Sequence, residues 1–189
     1  MSTVTGEHYF TAAPGTAARE RQISFSAAGC EFTLTTASSV FSAERLDPGT
    51  AVLLRKAPLP DGRTEGLLLD LGCGYGPITA VLATVAPLAH VVAVDVNERA
   101  RDLARRNAAA LHLDSRVRVT APDEVEENLL FDQIWSNPPI RIGKAEFRIT
   151  HVLQYRPDQG SQFVDLAPTV LINPNGNAAA YIAASGFGA

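Results

Sequence analysis

Between Leu67 and Pro77 an apolar run meets an acid and then turns through three alternate glycines: Leu67-Leu68-Leu69-Asp70-Leu71-Gly72-Cys73-Gly74-Tyr75-Gly76-Pro77. A short apolar run is a buried strand, alternate glycines let the backbone reverse within a few residues, and proline is favoured in the first turn of a helix. The segment predicts a strand that feeds a helix through a tight loop. Leu71 to Val94 carries no Asp, Glu, Lys or Arg and is longer than the ~20 residues a membrane-spanning helix needs. Gly72, Gly74, Gly76, Pro77 and Pro87 break it up, so it reads as strand end, turn, a helix from Pro77 to Ala86 and a second buried strand, Val91 to Asp95. The alternation continues with a helix from Glu98 to Leu111, whose Ala100, Leu103, Ala104, Asn107, Ala108 and Leu111 share one face, then strands at Arg116 to Thr120 and Phe131 to Ser136. Buried strands separated by helices specify βαβ units, hence an α/β fold with a parallel sheet covered on both faces.

The region before this core is of another kind. Residues 1–22 are polar with scattered Gly and Pro and read as an extended arm, while Ile23 to Ser26 and Cys30 to Thr35 alternate apolar with polar and predict two strands joined at Ala28-Gly29. Ser39 to Thr50 holds turn signals such as Asp47-Pro48-Gly49, and a helix is expected over Ala51 to Ala57. The expected organisation is a single domain, with residues 1–65 as an arm, short strands and entry helix, and 66–189 as the α/β core. With 189 residues, 46% hydrophobic and 19% charged, the chain is long enough for one packed core. Its net charge of −4 argues against charge-driven, sequence-independent binding to nucleic acid or membrane. Cys30 and Cys73 give neither a disulfide framework nor a metal-ligand spacing. With no basic, apolar leader at the N-terminus, a reducing cytoplasm is the expected location and no metal or membrane partner is expected.

The glycine spacing bears on the ligand. A dinucleotide fingerprint, GxGxxG, seats a pyrophosphate on the helix N-terminus. Here the pattern is GxGxG with Asp70 two residues before it, and a carboxylate there opposes a pyrophosphate and suits a cationic amino-acid group. Asp95 ends the second strand ~20 residues on, where an acid accepts hydrogen bonds from a ribose diol. An amino-acid end near Asp70 and a ribose near Asp95 match S-adenosylmethionine. A second motif, Ile134-Trp135-Ser136-Asn137-Pro138-Pro139-Ile140, ends the fourth strand. The lone pair of an exocyclic amine or amide is delocalised, so methylating it requires two acceptors that grip its N–H bonds and turn it toward the methyl group. The Asn137 side-chain oxygen and the Pro138 carbonyl are the candidates, and positioning rather than a strong base would supply most of the rate.

These motifs resemble those of class I S-adenosylmethionine-dependent methyltransferases. The segments His8-Tyr9-Phe10, Val40-Phe41-Ser42 with Arg45 to Thr50, Leu69 to Pro77, Val94-Asp95-Val96-Asn97 with Arg99-Ala100, and Trp135 to Lys144 are similar to the catalytic domain of the ribosomal RNA small-subunit guanine-N2 methyltransferase C family over about residues 7–148. The resemblance implies a Rossmann-like doubly wound sheet and methyl transfer to guanine N2 in ribosomal RNA, with RNA or a small-subunit particle as partner. By it Asp70, Gly72, Cys73, Gly74, Gly76, Asp95, Val96 and Asn137 line the cofactor, and Asp123 or its neighbour Glu124 meets the adenine amine. Asn137, Pro138, Pro139 and Ile140 form the catalytic motif, which in amine methyltransferases usually closes with Tyr or Phe rather than Ile. Phe41, Arg141 and Lys144 lie toward the substrate.

Other residues read more plainly. Arg99, Arg101, Arg105 and Arg106 crowd one helix as a solvated face or an RNA contact, Cys73 and Trp135 read as core, and Arg141, Lys144 and Arg148 are candidates for phosphate contact. Only 49 residues follow Ile140, fewer than the usual closing strands take, and Ala178 to Ala189 is small and uncharged. A sheet without its usual C-terminal hairpin is therefore expected, with a fifth strand from Phe163 to Leu166 or Thr169 to Ile172. Two alternatives stay open: a non-catalytic or incomplete relative that only binds the cofactor, and a protein glutamine N-methyltransferase, whose amide substrate presents the same lone-pair problem.

Overall fold

The computed structural model describes residues 19–38, 40, 45–126 and 129–137, and beyond them the backbone of four strands. The chain opens with an antiparallel pair, β1 (Glu20–Ala27) and β2 (Cys30–Ala37), in register Ile23 to Leu34 and Ala27 to Cys30. Ala28 and Gly29 both take positive φ, 52° and 77°, as the tightest hairpin turn requires. β1 already starts at Glu20, so the last of the residues read as an arm belong to the sheet. Helix α1 runs Pro48–Lys56. It starts three residues earlier than its apolar pattern suggests, because Asp47 accepts the Thr50 N–H as N-cap and Pro48 needs no donor in the first turn.

The core follows as β3 (Glu65–Leu71), α2 (Pro77–Val85), β4 (Leu88–Val94), α3 (Glu98–Ala110), β5 (Val117–Thr120) and β6 (Gln133–Ser136). β3 pairs in parallel with β4 on one side and β6 on the other, and β4 pairs with β5, giving the sequence β5-β4-β3-β6 within one sheet. The chain moves outward from β3 to β5 and then returns to the opposite side of β3. The crevice between β3 and β6 is thus the point at which the winding reverses, where open α/β sheets bind ligands beyond the strand C-termini. Leu68, Val81, Leu82, Val91, Leu103 and Trp135 are fully buried in the core. Gly66 is required at the start of β3: its φ is +89°, and a side chain there would strike the Asp132 carboxylate that accepts the Leu67 N–H at 2.7 Å.

The sheet does not stop at β6. Strand β7 (Leu153–Arg156) pairs with β8 (Gln162–Asp165) in a separate ribbon, while β9 (Thr169–Ile172) and β10 (Ala178–Ala183) join the main sheet in the order β6-β10-β9. Both new pairings, β10 with β6 and β9 with β10, are antiparallel. The open edge expected beyond the fourth strand is therefore filled by an antiparallel pair. Strand pairing is a property of the backbone, and polar alternation marks only strands with one wet face, so the uniform composition of Ala178–Ala183 was no bar to it. Of the two candidate fifth strands, the Thr169–Ile172 segment enters the main sheet, at its edge, and the Gln162–Asp165 segment does not.

Candidate active site

Leu71 is in register with both Val94 and Ser136, so β3, β4 and β6 end at one level. Asp70 and its glycine loop, Asp95 and Asn137 therefore meet at one edge of the sheet. Asp70 is fully buried, and one of its oxygens accepts both the Thr79 N–H at 2.9 Å and the Thr79 hydroxyl at 2.6 Å. Thr79 lies in the first turn of α2, where an anion is welcome. The position a pyrophosphate would take is thus already filled by the protein's own carboxylate. The other oxygen, Oδ1, is buried without a partner among the described residues. Burial pushes the Asp70 carboxyl up to about 7, against the pull of the Thr79 hydrogen bonds and helped by the nearby Asp95 charge.

The loop itself spends its N–H groups internally. Those of Gly72 and Cys73 donate to the Val94 carbonyl, that of Gly76 to the Cys73 carbonyl, and that of Gly74 to Asp95 Oδ2 at 2.9 Å. The three glycines have φ of +77°, +57° and +91°, a region side chains disfavour. They differ in what they face. Among the described residues a Cβ on Gly72 or Gly74 would meet nothing within 4 Å, whereas one on Gly76 would lie 3.4 Å from Ala104 of α3. Gly72 and Gly74 are uncovered by the described residues, and Gly76 is the packing corner of the loop. Cys73 turns its side chain inward against Ala93, Ala104 and Val119, and burial, with Asp70 and Asp95 adding, pushes its thiol well up. Only its backbone is left to face the open side.

Asp95 is buried, with Oδ1 accepting the Asn97 N–H at 2.8 Å and Oδ2 the Gly74 N–H. It thereby locks the end of β4 to the glycine loop. Val96 beside it is 43% exposed. Of the two acids after β5, Glu124 accepts the Thr120 hydroxyl at 2.7 Å and the Ala121 N–H at 2.9 Å, which hold its carboxyl below the usual range. Asp123 is exposed and forms no hydrogen bond among the described residues, so it is the acid left available. An unpartnered carboxylate oxygen, two glycines uncovered by the described residues and two further acids on adjoining strand ends suit a ligand with an ammonium group and a diol. S-adenosylmethionine fits that donor set.

On β6, Asn137 is buried and donates its amide hydrogens to Asp47 Oδ2 and to Thr50 Oγ1, both at 2.7 Å. The family resemblance implies that Phe41 to Thr50 lie beside the cofactor pocket, but gives neither Asp47 nor Thr50 a role of its own; the N-cap pattern Asp47-Pro48-Gly49-Thr50 was the available signal. Tyr75 was missed as well. Its ring is buried, its hydroxyl has no partner among the described residues, and burial, with the Asp47 charge next, pushes its ionisation up. Asn107, read as a place on the apolar face of α3, accepts the Thr35 N–H and donates to the Thr35 and Tyr75 carbonyls, each at 2.8 Å. It ties the hairpin and the glycine loop to α3. Phe41, Pro138, Pro139, Ile140, Arg141 and Lys144 lie outside the described residues.

The arginine-rich face of α3 is engaged within the protein. Arg99 donates to the Ser38 carbonyl, Arg101 to the Asp95 and Val96 carbonyls, Arg105 pairs with Asp102, and Arg106 grips Glu20 with two nitrogens. Among the described residues no three His, Cys, Asp or Glu are grouped to hold a metal. No helix there is long and apolar enough to cross a membrane.

This geometry has a family. The methyltransferase small domain description matches residues 31–157. The chain belongs to that family. It is a class I S-adenosylmethionine-dependent methyltransferase, similar to the ribosomal RNA small subunit methyltransferase C proteins. It is 42% identical over 121 residues to the one from Hahella chejuensis, covering 62% of this chain and 33% of that protein. It is also 35% identical over 150 residues to the uncharacterized protein YbxB of Bacillus subtilis, covering 78% and 72% respectively. Among solved structures, a T. thermophilus 16S rRNA N2 methyltransferase in complex with AdoMet and guanosine aligns with a TM-score of 0.55 at 29% identity, over 69% of this chain and 36% of that one. The chain thus spans about a third of the ribosomal RNA methyltransferases that it matches.

Proposed function

We propose that this protein transfers the methyl group of S-adenosylmethionine to the N2 amine of a guanine in small-subunit ribosomal RNA, acting in the cytoplasm. The observation that carries the reading is the Asn137 amide, anchored through its nitrogen beside the winding reversal while its oxygen accepts no bond among the described residues. Similarity to the methyltransferase C proteins and to the guanosine-bound T. thermophilus enzyme supports guanine as the base.

Each side chain has a share in this reading. Asp70 Oδ1 takes the cofactor's ammonium group, Gly72, Cys73 and Gly74 supply the backbone surface beneath it, and Gly76 holds the loop on α3. Asp95 and Val96 flank the ribose and Asp123 the adenine amine. When bound, the cofactor supplies an electrophilic methyl group on a sulfonium centre. The Asn137 oxygen and the Pro138 carbonyl accept hydrogen bonds from the two amine N–H groups, Pro139 restricts the backbone that follows, Ile140 packs on the base, and the amine releases one proton to solvent once it has taken the methyl group. Phe41, Arg141 and Lys144 face the RNA. Aligning the amine lone pair with the methyl group supplies much of the rate, since orientation alone is worth roughly 7–11 kcal/mol in well-placed reactions.

Methyl incorporation from labelled S-adenosylmethionine into deproteinised small-subunit RNA and into intact particles tests the proposal, with the modified base identified by nucleoside analysis. Methylated guanine that disappears in Asn137→Ala, with cofactor binding retained, is the expected result. Label on a protein glutamine, or cofactor binding without transfer to any of these substrates, would overturn it.

A further inference from the structure

The contacts of Asn137 reach beyond its own strand. Its amide nitrogen carries two hydrogens, and the two acceptors they meet, Asp47 Oδ2 and Thr50 Oγ1, lie on the first turn of α1, about 90 positions earlier in the chain. All three side chains are buried, at 7%, 4% and 8% exposure for Asp47, Thr50 and Asn137. A carboxylate has no hydrogen to give. The amide must therefore present nitrogen, never oxygen, to Asp47, and this fixes which way round the group sits. Its oxygen takes neither of these bonds and lies against the bare Cα of Gly49, without a hydrogen-bond partner among the described residues.

The backbone of α1 is shaped to the same amide. A Cβ on Gly49 would lie 2.7 Å from Asn137 Oδ1 and 2.8 Å from Asp47 Oδ2, so a side chain at this turn would have to push both groups out of place. Capping α1 needs only the Thr50 N–H bond to Asp47. The Asp47 oxygen that makes it accepts from Asn137 as well, a bond the helix does not require. Donation to a charged acceptor also draws electron density toward the amide oxygen, which strengthens it as an acceptor in turn.

We infer that Asp47 and Thr50 are positioning residues for methyl transfer: they lock the Asn137 amide with its oxygen toward the substrate amine. The inference rests on the reading that this oxygen grips the amine. Neither side chain touches the reacting atoms. They act through Asn137.

The test uses the full chain, labelled S-adenosylmethionine and small-subunit RNA. Asp47→Ser keeps an N-cap acceptor but is too short to reach Asn137, Thr50→Val removes the second acceptor at constant shape, and Thr50→Ser restores it. The paired substitution Asp47→Ser with Thr50→Val is expected to lower kcat about 100-fold, the scale of misplacing a reacting group. The KM for RNA and the cofactor Kd should stay within about threefold, and Thr50→Ser should hold kcat near the parent value. Unchanged kcat in the paired variant, where Asn137→Ala abolishes turnover, overturns the inference and leaves the proposed function intact. Full turnover in Asn137→Ala overturns the proposed function itself. A readout independent of turnover is the side-chain NMR signal of Asn137 in the folded protein: two slowly exchanging amide hydrogens, one released by each substitution, support the lock. An amide exchanging like an exposed asparagine in the unaltered chain refutes it.

Discussion

One oxygen of Asp70 closes the first turn of α2 by accepting both the N–H and the hydroxyl of Thr79, while its other oxygen stays buried without a partner among the described residues. A single carboxylate thus caps a helix on one side and offers a desolvated acceptor on the other. Helix capping stabilises by about 0.5–2 kcal/mol, but a charge withdrawn from water works against folding until a cation meets it.

The first consequence is a pH dependence of binding. The carboxyl is pushed from 3.8 to about 7 by burial, with the Asp95 charge adding and the Thr79 bonds opposing. A ligand ammonium favours the ionised form, so binding below pH 7 must release this proton. Affinity for S-adenosylmethionine is expected to fall as pH drops below about 7, by up to tenfold per unit, and to level off above it. Calorimetry in buffers of differing ionisation heat checks it; a flat affinity between pH 5 and 8 would remove Asp70 from the ammonium site.

The stability of the free protein should run the other way. Because the folded chain keeps the Asp70 proton to a higher pH than the unfolded chain, the stabilising contribution is full below about pH 4 and is lost as pH rises through about 7. Asp70→Asn keeps an acceptor for Thr79 and carries no charge. Its melting temperature at pH 8 should equal or exceed that of the parent, while cofactor affinity falls at least tenfold. Thermal melts of both proteins from pH 5 to 8 decide this, and parallel curves would contradict it.

Substitutions in the glycine loop should separate by role. Gly74→Ala carries the strain of a side chain at φ +57°, with none of the described residues within 4 Å of the new carbon, a cost of about 1–2 kcal/mol. Gly76→Ala adds a 3.4 Å approach to Ala104 at φ +91°. Cofactor binding should suffer more in Gly74→Ala, and denaturant stability more in Gly76→Ala. Equal effects on both measurements would show the two positions to be equivalent.

Asn107→Ala strands the Thr35 N–H and the Thr35 and Tyr75 carbonyls together. A lost partner for a buried polar group costs about 1–3 kcal/mol. A loss of roughly 2–4 kcal/mol is expected, accompanied by faster amide exchange in the β1–β2 hairpin. Unchanged hairpin protection would show that Asn107 does not hold it.

Helix α2 ends on a single side chain. The Arg116 guanidinium donates to the carbonyls of Ala83, Ala86 and Ala89, the shortest of these bonds at 2.7 Å to Ala83. Ala83 lies in the last turn of α2, whose carbonyls have no partner further along the helix, and Ala89 lies in β4, so the guanidinium ties the helix end to the next strand. Arg116→Leu should lower the unfolding free energy by roughly 1–3 kcal/mol without altering cofactor affinity at saturating stability. A neutral substitution in a denaturant titration would argue that water replaces the guanidinium.

The helices and strands of the core were legible because their signals are local. Apolar runs with glycine and proline boundaries set β3, α2, β4 and α3 to within a few residues, since burial period and backbone freedom are written into adjacent positions. Asp70, the glycines and Asp95 were legible for the same reason: they sit where strands end, and the sequence shows where strands end. The start of α1 was misjudged, because Asp47-Pro48-Gly49 reads as a turn until its carboxylate is seen to cap a helix. The strand at Ala178–Ala183 was not visible, since its pairing with β6 depends on the backbone alone.

By itself, then, the sequence determined the βαβ core and the row of acids and glycines on its strand ends. Tertiary structure decided which group satisfies which. The carboxylate of Asp47 meets the amide of Asn137 across 90 positions, Asn107 bridges a hairpin 72 positions away, and the arginines of α3 pair with groups of their own fold. A residue type states what a side chain can donate or accept; its partner is fixed only when packing brings distant elements together and excludes the water that would otherwise answer it.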